Sequence, residues 1–283
     1  MLLKNKNLWF SISIGLFAFA FPILIQGLTL AYADFKVAAV GDLSCDSDAT
    51  KTVQGIQQFK PNITLFLGDL SYMTSPACFL KLTNSLITNS AVKIAIGNHD
   101  SAEDGTEGLE GEYLKAFNLT KPYYSFNHSK VHLLVMSTQL DSSDKDQISF
   151  VTQDLKDAQN NSNFTIVMMH KPLYTSPSKH PAEIGFRNIY APLFQKYGVD
   201  IVLQGHNHIF ETLVPNRNNS KPLYITVGTG GRSHYELNGK ESYSIAQDNT
   251  DFGFLGLTLD ERKLDGAFYT NNGEIKNNFT RNY

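Results

Sequence analysis

Five apolar runs in this chain each stop at a side chain able to hold a metal ion or a network of hydrogen bonds, and that recurrence restricts the fold more than any other feature. Phe35 to Val40 runs into Gly41-Asp42, Ile63 to Leu67 into Gly68-Asp69, and Val92 to Ile96 into Gly97-Asn98-His99-Asp100. Phe164 to Met169 ends in His170-Lys171-Pro172, and Val199 to Leu203 leads through Gln204 into Gly205-His206-Asn207-His208. Continuous apolar runs of this length, closed by turn residues, read as buried strands. Asp46 to Phe59, opened by Asp and Ser and stopped before Pro61, and the segment from Phe79 to Ile87 read as helices between the first three.

A β-α-β-α-β order implies parallel strands with right-handed crossovers, so their carboxyl ends share one edge. Sites in such sheets form at that edge. Any single Gly-Asp or Gly-Asn end is explained well enough as a turn or a helix cap. Three in succession weaken that explanation, and His170 and the His206/His208 pair repeat the arrangement. In extended backbone, histidines spaced i, i+2 face the same side.

The rest of the chain is less specific. Tyr123 to Phe126 and Val131 to Ser137 read as a hairpin turning at Asn127-His128-Ser129, with His132 in a structural place. Gln147 to Ala158 reads as a helix with Ile148, Val151 and Leu155 on its core face, and Phe186 to Lys196 as another. Leu223 to Val227, Phe254 to Leu259 and Gly266 to Thr270 read as antiparallel strands. Gly228-Thr229-Gly230-Gly231 fits a loop at the site rim and lacks the Lys-Ser/Thr and helix of a phosphate loop. Residues 34–283 read as one domain of the α/β class.

Residues 1–33 have the form of a signal peptide, with Lys4 and Lys6 ahead of an apolar run from Leu8 to Ile25 and Ala31-Tyr32-Ala33 before Asp34. An uncleaved membrane anchor is the alternative. Losing the two lysines takes the formal charge from −3 to −5, so there is no broad basic field for nucleic acid or anionic membrane. Secreted or extracytoplasmic placement suits the sequons at Asn62, Asn118, Asn127, Asn160, Asn163, Asn218 and Asn278. Cys45 and Cys78 could pair in such a compartment; free thiols or thiolate metal ligands are the other readings.

Oxygen and imidazole ligands suit a pair of hard or borderline cations, whereas a structural zinc tends to use thiolates. Two metals can acidify a water and clamp the oxygens of an in-line phosphoryl displacement, so phosphoester hydrolysis is the chemistry the ligand types favour.

The motifs Gly41-Asp42-Leu43-Ser44, Gly68-Asp69-Leu70-Ser71-Tyr72, Gly97-Asn98-His99-Asp100, Val167-Met168-Met169-His170 and Gly205-His206-Asn207-His208, in this order, resemble those of the calcineurin-like metallophosphoesterases. Ser44 stands where many members carry a His, and Tyr72 stands where the purple acid phosphatases carry a metal-binding tyrosine, so the resemblance is closest to that subclass. With little chain between Asp34 and Asp42 to hold the extra β-rich domain of the larger plant members, the resemblance is to the small single-domain form. It implies a four-layer αββα sandwich of two mixed sheets flanked by helices. It further implies Asp42, Tyr72 and His208 on one metal, iron(III), and Asn98, His170 and His206 on a second, divalent zinc, iron or manganese, with Asp69 bridging. His99 and, by a softer match, His180 would face the substrate. The implied activity is hydrolysis of small phosphomonoesters by a metal-activated hydroxide. A phosphodiesterase of the same superfamily, and a non-catalytic exported binding protein on this fold, are the alternatives.

Overall fold

The computed structural model describes residues 34–282 apart from 103–107, 129–130, 162–163, 217–220 and 261–262. Residues 1–33, with the expected signal peptide, Ser129 and the sequons at Asn163 and Asn218 lie outside the described residues. Strands β1 (Phe35–Val40), β2 (Ile63–Phe66) and β3 (Ala91–Ile94) alternate with helices α1 (Ser47–Phe59) and α2 (Ala77–Asn89). After α3 (Glu110–Ala116) come β4 (Tyr124–His128), β5 (Val131–Val135), α4 (Lys145–Ala158), β6 (Phe164–Met168), α5 (Ile184–Lys196) and β7 (Ile201–Gln204). The chain continues through β8 (Phe210–Leu213), β9 (Leu223–Val227), β10 (Ser244–Asp248), β11 (Gly253–Leu259), β12 (Lys263–Thr270) and β13 (Ile275–Asn282).

These strands form two mixed sheets, one ordered β13-β12-β11-β1-β2-β3 and the other β10-β8-β9-β7-β6-β5-β4. Within them β1, β2 and β3 are parallel, as are β5, β6, β7 and β9. Side-chain alternation builds the layers. Val37 and Ala39 of β1 join Ile166 and Met168 of β6 in a core between the sheets. Ala38 and Val40 instead meet Val53 and Ile56 of α1 and Phe79 of α2, while Val167 and Met169 meet Val151 and Leu155 of α4 and Tyr190 of α5. Helices therefore cover both outer faces, giving the αββα sandwich. Strands buried on both faces need apolar residues at every position, which is why they read as unbroken runs.

Asp46 caps α1, accepting from the Asp48 and Ala49 amides, and Lys60 ends it in the left-handed region at φ 54°. Cys45 and Cys78, at the starts of α1 and α2, are joined by a disulfide. His132 is buried in β5, its ring nitrogens 2.7 Å from Asp154 Oδ2 and 2.8 Å from Asn127 Oδ1, a structural place.

Three expectations change. Asn127 and His128, expected in the hairpin turn, belong to β4 and pair with His132 and Val131. β9 is antiparallel to β8 but parallel to β7, because β8 turns back directly after the His206/His208 segment and β9 slots between the two. Three strands and a helix were also unanticipated: β8 is short, β10 and the edge strand β13 are largely polar, and α3 spans only seven residues. Among the described residues no helix is long and apolar enough to cross a membrane.

Candidate metal centre

The carboxyl ends of β1, β2, β3, β6 and β7 deliver Asp42, Asp69 with Tyr72, Asn98 with His99, His170, and His206 with His208 to one place between the sheets. The turns that aim them are unusual. Asp42, Asp69, Tyr72 and His206 have positive φ, at 60°, 52°, 54° and 68°, a region that non-glycine residues seldom enter. Amide hydrogen bonds hold three of them there: Asp42 N donates to Gly68 O, Leu43 N to Asp69 O, and His206 N to the Asp42 carboxylate oxygen Oδ2. Glycine clears the space, since a Cβ on Gly97 would lie 2.1 Å from Asp69 Oδ1 and one on Gly228 only 2.1 Å from the Asn207 carbonyl.

Two groups of donors result. In the first, Tyr72 Oη is 3.1 Å from Asp42 Oδ1 and 2.9 Å from His208 Nε2, and His208 Nε2 is 3.4 Å from Asp42 Oδ1. In the second, His170 Nε2 is 3.0 Å from Asn98 Oδ1 and 3.2 Å from His206 Nδ1. Asp69 Oδ1 stands 3.3 Å from His170 Nε2, and the Asp69 carboxylate also acts on the Tyr72 phenol, so it faces both groups. Ligand atoms of Asp69, His170 and His206 all lie within 4.8 Å of one another, a buried cluster that fits a metal ion.

Ring orientation supports that fit. His170 Nδ1 faces the Leu67 carbonyl at 2.9 Å and His208 Nδ1 the Ser233 carbonyl at 2.7 Å. A carbonyl only accepts, so both Nδ1 atoms donate, and in the neutral ring each Nε2 turns a lone pair into the site, the outer-shell arrangement of metal-binding imidazoles. His170 Nε2 then meets the ring nitrogen of His206 with a cation or a proton needed between them. The protein's own charges say the same. Burial disfavours an imidazolium at His170, but the Asp69 carboxylate outweighs it and raises the group to about 9; burial and the neighbouring His170 depress His206 to about 2. Asp69 is held below its usual range because His170, against the cost of burial, favours its anion. Burial and the Asp42 charge push the Tyr72 phenol well up, so its ionisation calls for a cation that offsets those carboxylates.

His99 sits at the mouth, its side chain 38% exposed, with Nε2 4.0 Å from Asp69 Oδ2 and its ring 4.5 Å from that of Tyr72. His180, half-buried, packs 4.0 Å from the His206 ring, and burial with the charge of Lys179 lowers its pKa. Every sequence-derived site residue thus lies at this edge.

Other residues complete the site without having been singled out for it. Asp100 is buried and accepts from Leu70 N at 3.0 Å and Gly97 N at 2.9 Å, tying two ligand loops together; burial and then the Asp69 charge raise it to about 7. Asn207, fully buried, receives the His180 amide at 3.1 Å and donates to the His180 carbonyl at 2.9 Å. The extended alternation expected of His206 and His208 does not hold here, since His206 lies at φ 68° and the two rings go to different donor groups, so periodicity gave no signal for Asn207. Tyr235 stacks on His208 at 3.9 Å.

A family model described as calcineurin-like phosphoesterase matches residues 35–210, and the chain belongs to that family. Within it the similarity runs to the purple acid phosphatases: a model described as iron/zinc purple acid phosphatase-like protein C matches residues 221–277. Purple acid phosphatase 21 of Arabidopsis thaliana is 25% identical over 265 residues, covering 85% of this chain and 61% of the relative. The chain spans about half to three-fifths of the length of the curated relatives it matches. In fold, it resembles a purple acid phosphatase from yellow lupin (Lupinus luteus) seeds, with a TM-score of 0.71 at 21% identity over 88% of this chain and 54% of that one. It likewise resembles the anchor protein of the inner membrane complex of Plasmodium, with a TM-score of 0.73 at 18% identity over 88% of this chain and 89% of that one.

Proposed function

We propose that this chain is an exported phosphatase that hydrolyses small phosphomonoesters at a dinuclear metal centre. The observation that carries the reading is the division of seven ligand-type side chains into two converging groups, with Asp69 facing both. Asp42, Tyr72 and His208 would hold iron(III), for which a phenolate is a hard, charge-rich donor; Asn98, His170 and His206 would hold divalent zinc, iron or manganese. When bound, the ions supply positive charge for the phosphoryl oxygens and acidify water near neutral pH.

The chain's own groups handle the proton at the other end of the reaction. As a water oxygen forms its bond to phosphorus and the bond from phosphorus to the alcohol oxygen breaks, His99 gives that oxygen a proton and regains one from water. His180, held by Asn207, lines the same opening and would steady a phosphoryl oxygen. The disulfide between Cys45 and Cys78 supports export, being a bond of oxidising compartments.

The test is Asp69→Asn and His206→Ala, expected to abolish hydrolysis of an aryl phosphate and to lower metal content. Full activity with full metal in both variants sinks the assignment. An aryl phosphodiester assayed alongside decides between monoesterase and diesterase, and metal bound without turnover of either favours a binding protein. Tyr72→Phe should remove a visible absorption band; a colourless, fully active wild type rules out iron(III) at Tyr72.

A further inference from the structure

Arg232 closes the glycine loop that follows β9, and it is fixed against the metal centre from its backbone outward. Its amide donates to the Asp42 carbonyl at 3.2 Å, and two residues earlier Gly230 N donates to Gly41 O at 3.0 Å. The side chain is exposed, with its guanidinium carbon 4.7 Å from the centroid of the Tyr72 ring. That ring carries the hydroxyl lying between Asp42 and His208, and His99 packs on the same ring. A cation on an aromatic face is oriented without using its N–H groups. Among the described residues the guanidinium meets only this ring and a longer-range attraction to Asp46, whose Oδ1 is already engaged in capping α1. Lys179, a further cation near the rim, is engaged by the Tyr235 hydroxyl at 3.3 Å.

A planar fork of N–H donors, pre-set one ring away from the metal ligands and with no hydrogen-bond acceptor among the described residues, suits an oxyanion in a bidentate geometry. The phosphoryl group under attack would belong to the metals and to His99 and His180. We propose that Arg232 is a specificity-determining residue that reads a second anionic group on the substrate, a phosphate or a carboxylate carried by the leaving group. The inference rests on the phosphomonoesterase reading, and its consequence is a preference for esters and anhydrides whose leaving group carries its own anion over esters of uncharged alcohols.

The experiment compares the metal-loaded full chain with Arg232→Ala, Arg232→Gln and Arg232→Lys on three substrates. These are p-nitrophenyl phosphate, inorganic pyrophosphate and phosphoglycolate, which offer no second anion, a phosphate and a carboxylate. Losing one exposed charge-assisted contact corresponds to about tenfold in an equilibrium constant. Arg232→Ala and Arg232→Gln should therefore lower kcat/KM about tenfold more for a doubly anionic substrate than for the aryl phosphate, with metal content retained and Arg232→Lys recovering part of the loss. Sensitivity of pyrophosphate alone assigns a second phosphate; sensitivity of phosphoglycolate as well assigns any oxyanion. An equal change on all three substrates, or none, overturns the proposal. A wild type inactive on all three defeats the phosphatase reading instead. Calorimetry then decides on Arg232: tighter binding of pyrophosphate than of orthophosphate, lost in Arg232→Ala, upholds it, and no such preference overturns it.

Discussion

Gly97→Ala should disable the centre without touching a ligand. The added Cβ would lie 2.1 Å from Asp69 Oδ1 and 2.3 Å from Asp69 N, against about 3.5 Å for an unstrained non-bonded contact. Relief requires a movement of about 1 Å, and rotating the Asp69 side chain supplies only part of it, since the second atom is backbone. That backbone is pinned: Leu43 N donates to Asp69 O at 3.0 Å, and Asp69 itself sits at φ 52°. Its carboxylate accepts the His99 amide at 2.9 Å and stands 3.3 Å from His170 Nε2, so displacement disturbs both faces of the site. Overpacking of this kind costs about 1–3 kcal/mol of stability, and misplacement by about 1 Å costs roughly a hundredfold in rate. Thermal melts should fall by several degrees, while kcat/KM on an aryl phosphate and metal content by emission spectroscopy fall much further. Metal content and kcat/KM within threefold of wild type would refute the argument that this glycine clears space for Asp69. Gly273→Ala is the control for lost stability without a clash, because its penalty is backbone strain at φ 83° with nothing within 4 Å of the new methyl; it should lower the melting temperature and leave the kinetics alone.

Asn207→Ala removes both backbone contacts to His180, and one to Thr175 Oγ1, and should lower kcat/KM on the aryl phosphate about tenfold while metal content holds; loss of metal in step with activity would contradict a role in placing the His180 loop. Cys45→Ser with Cys78→Ser reopens a loop of sequence separation 33, a loss of about 3–4 kcal/mol on the chain-entropy model, to be read from denaturant midpoints. Gly111→Ala, on α3 with nothing within 4 Å of the new methyl, should raise stability by about 0.5–1 kcal/mol; a decrease would mean that α3 does not form there.

Most of what could be read from the sequence came from strands buried on both faces. β1, β2, β5, β6 and β9 could be placed to within two residues because each is an apolar run bounded by a break, and a run of that kind has few other uses in a soluble fold. β10 and β13 carry no such signal. One face of β13 meets solvent along its length, so its Asn, Lys and Arg residues suit an edge as well as they suit a loop. The parallel pairing of β9 with β7 was hidden for another reason: strand order depends on where β8 turns back, and the sequence of β9 suits either direction.

At the site, which residues gather at one edge was legible and their backbone conformation was not. Gly41, Gly68, Gly97 and Gly205 announce turns, yet the strained positions are their neighbours Asp42, Asp69 and His206, together with Tyr72. Each such residue costs on the order of 1–3 kcal/mol and persists only where the surroundings over-determine it. Here the surroundings are the two parallel strand sets, whose amides and carbonyls continue past the last strand residue into the ligand turns: Leu67 N to Val40 O, Asp42 N to Gly68 O, Gly205 N to His170 O. The inter-sheet core holds those strands in register, and the turns inherit that rigidity. A donor set assembled this way has its two groups fixed in relation to one another before any cation arrives, which is what a centre needs if an attacking and a leaving oxygen are to be held on one line.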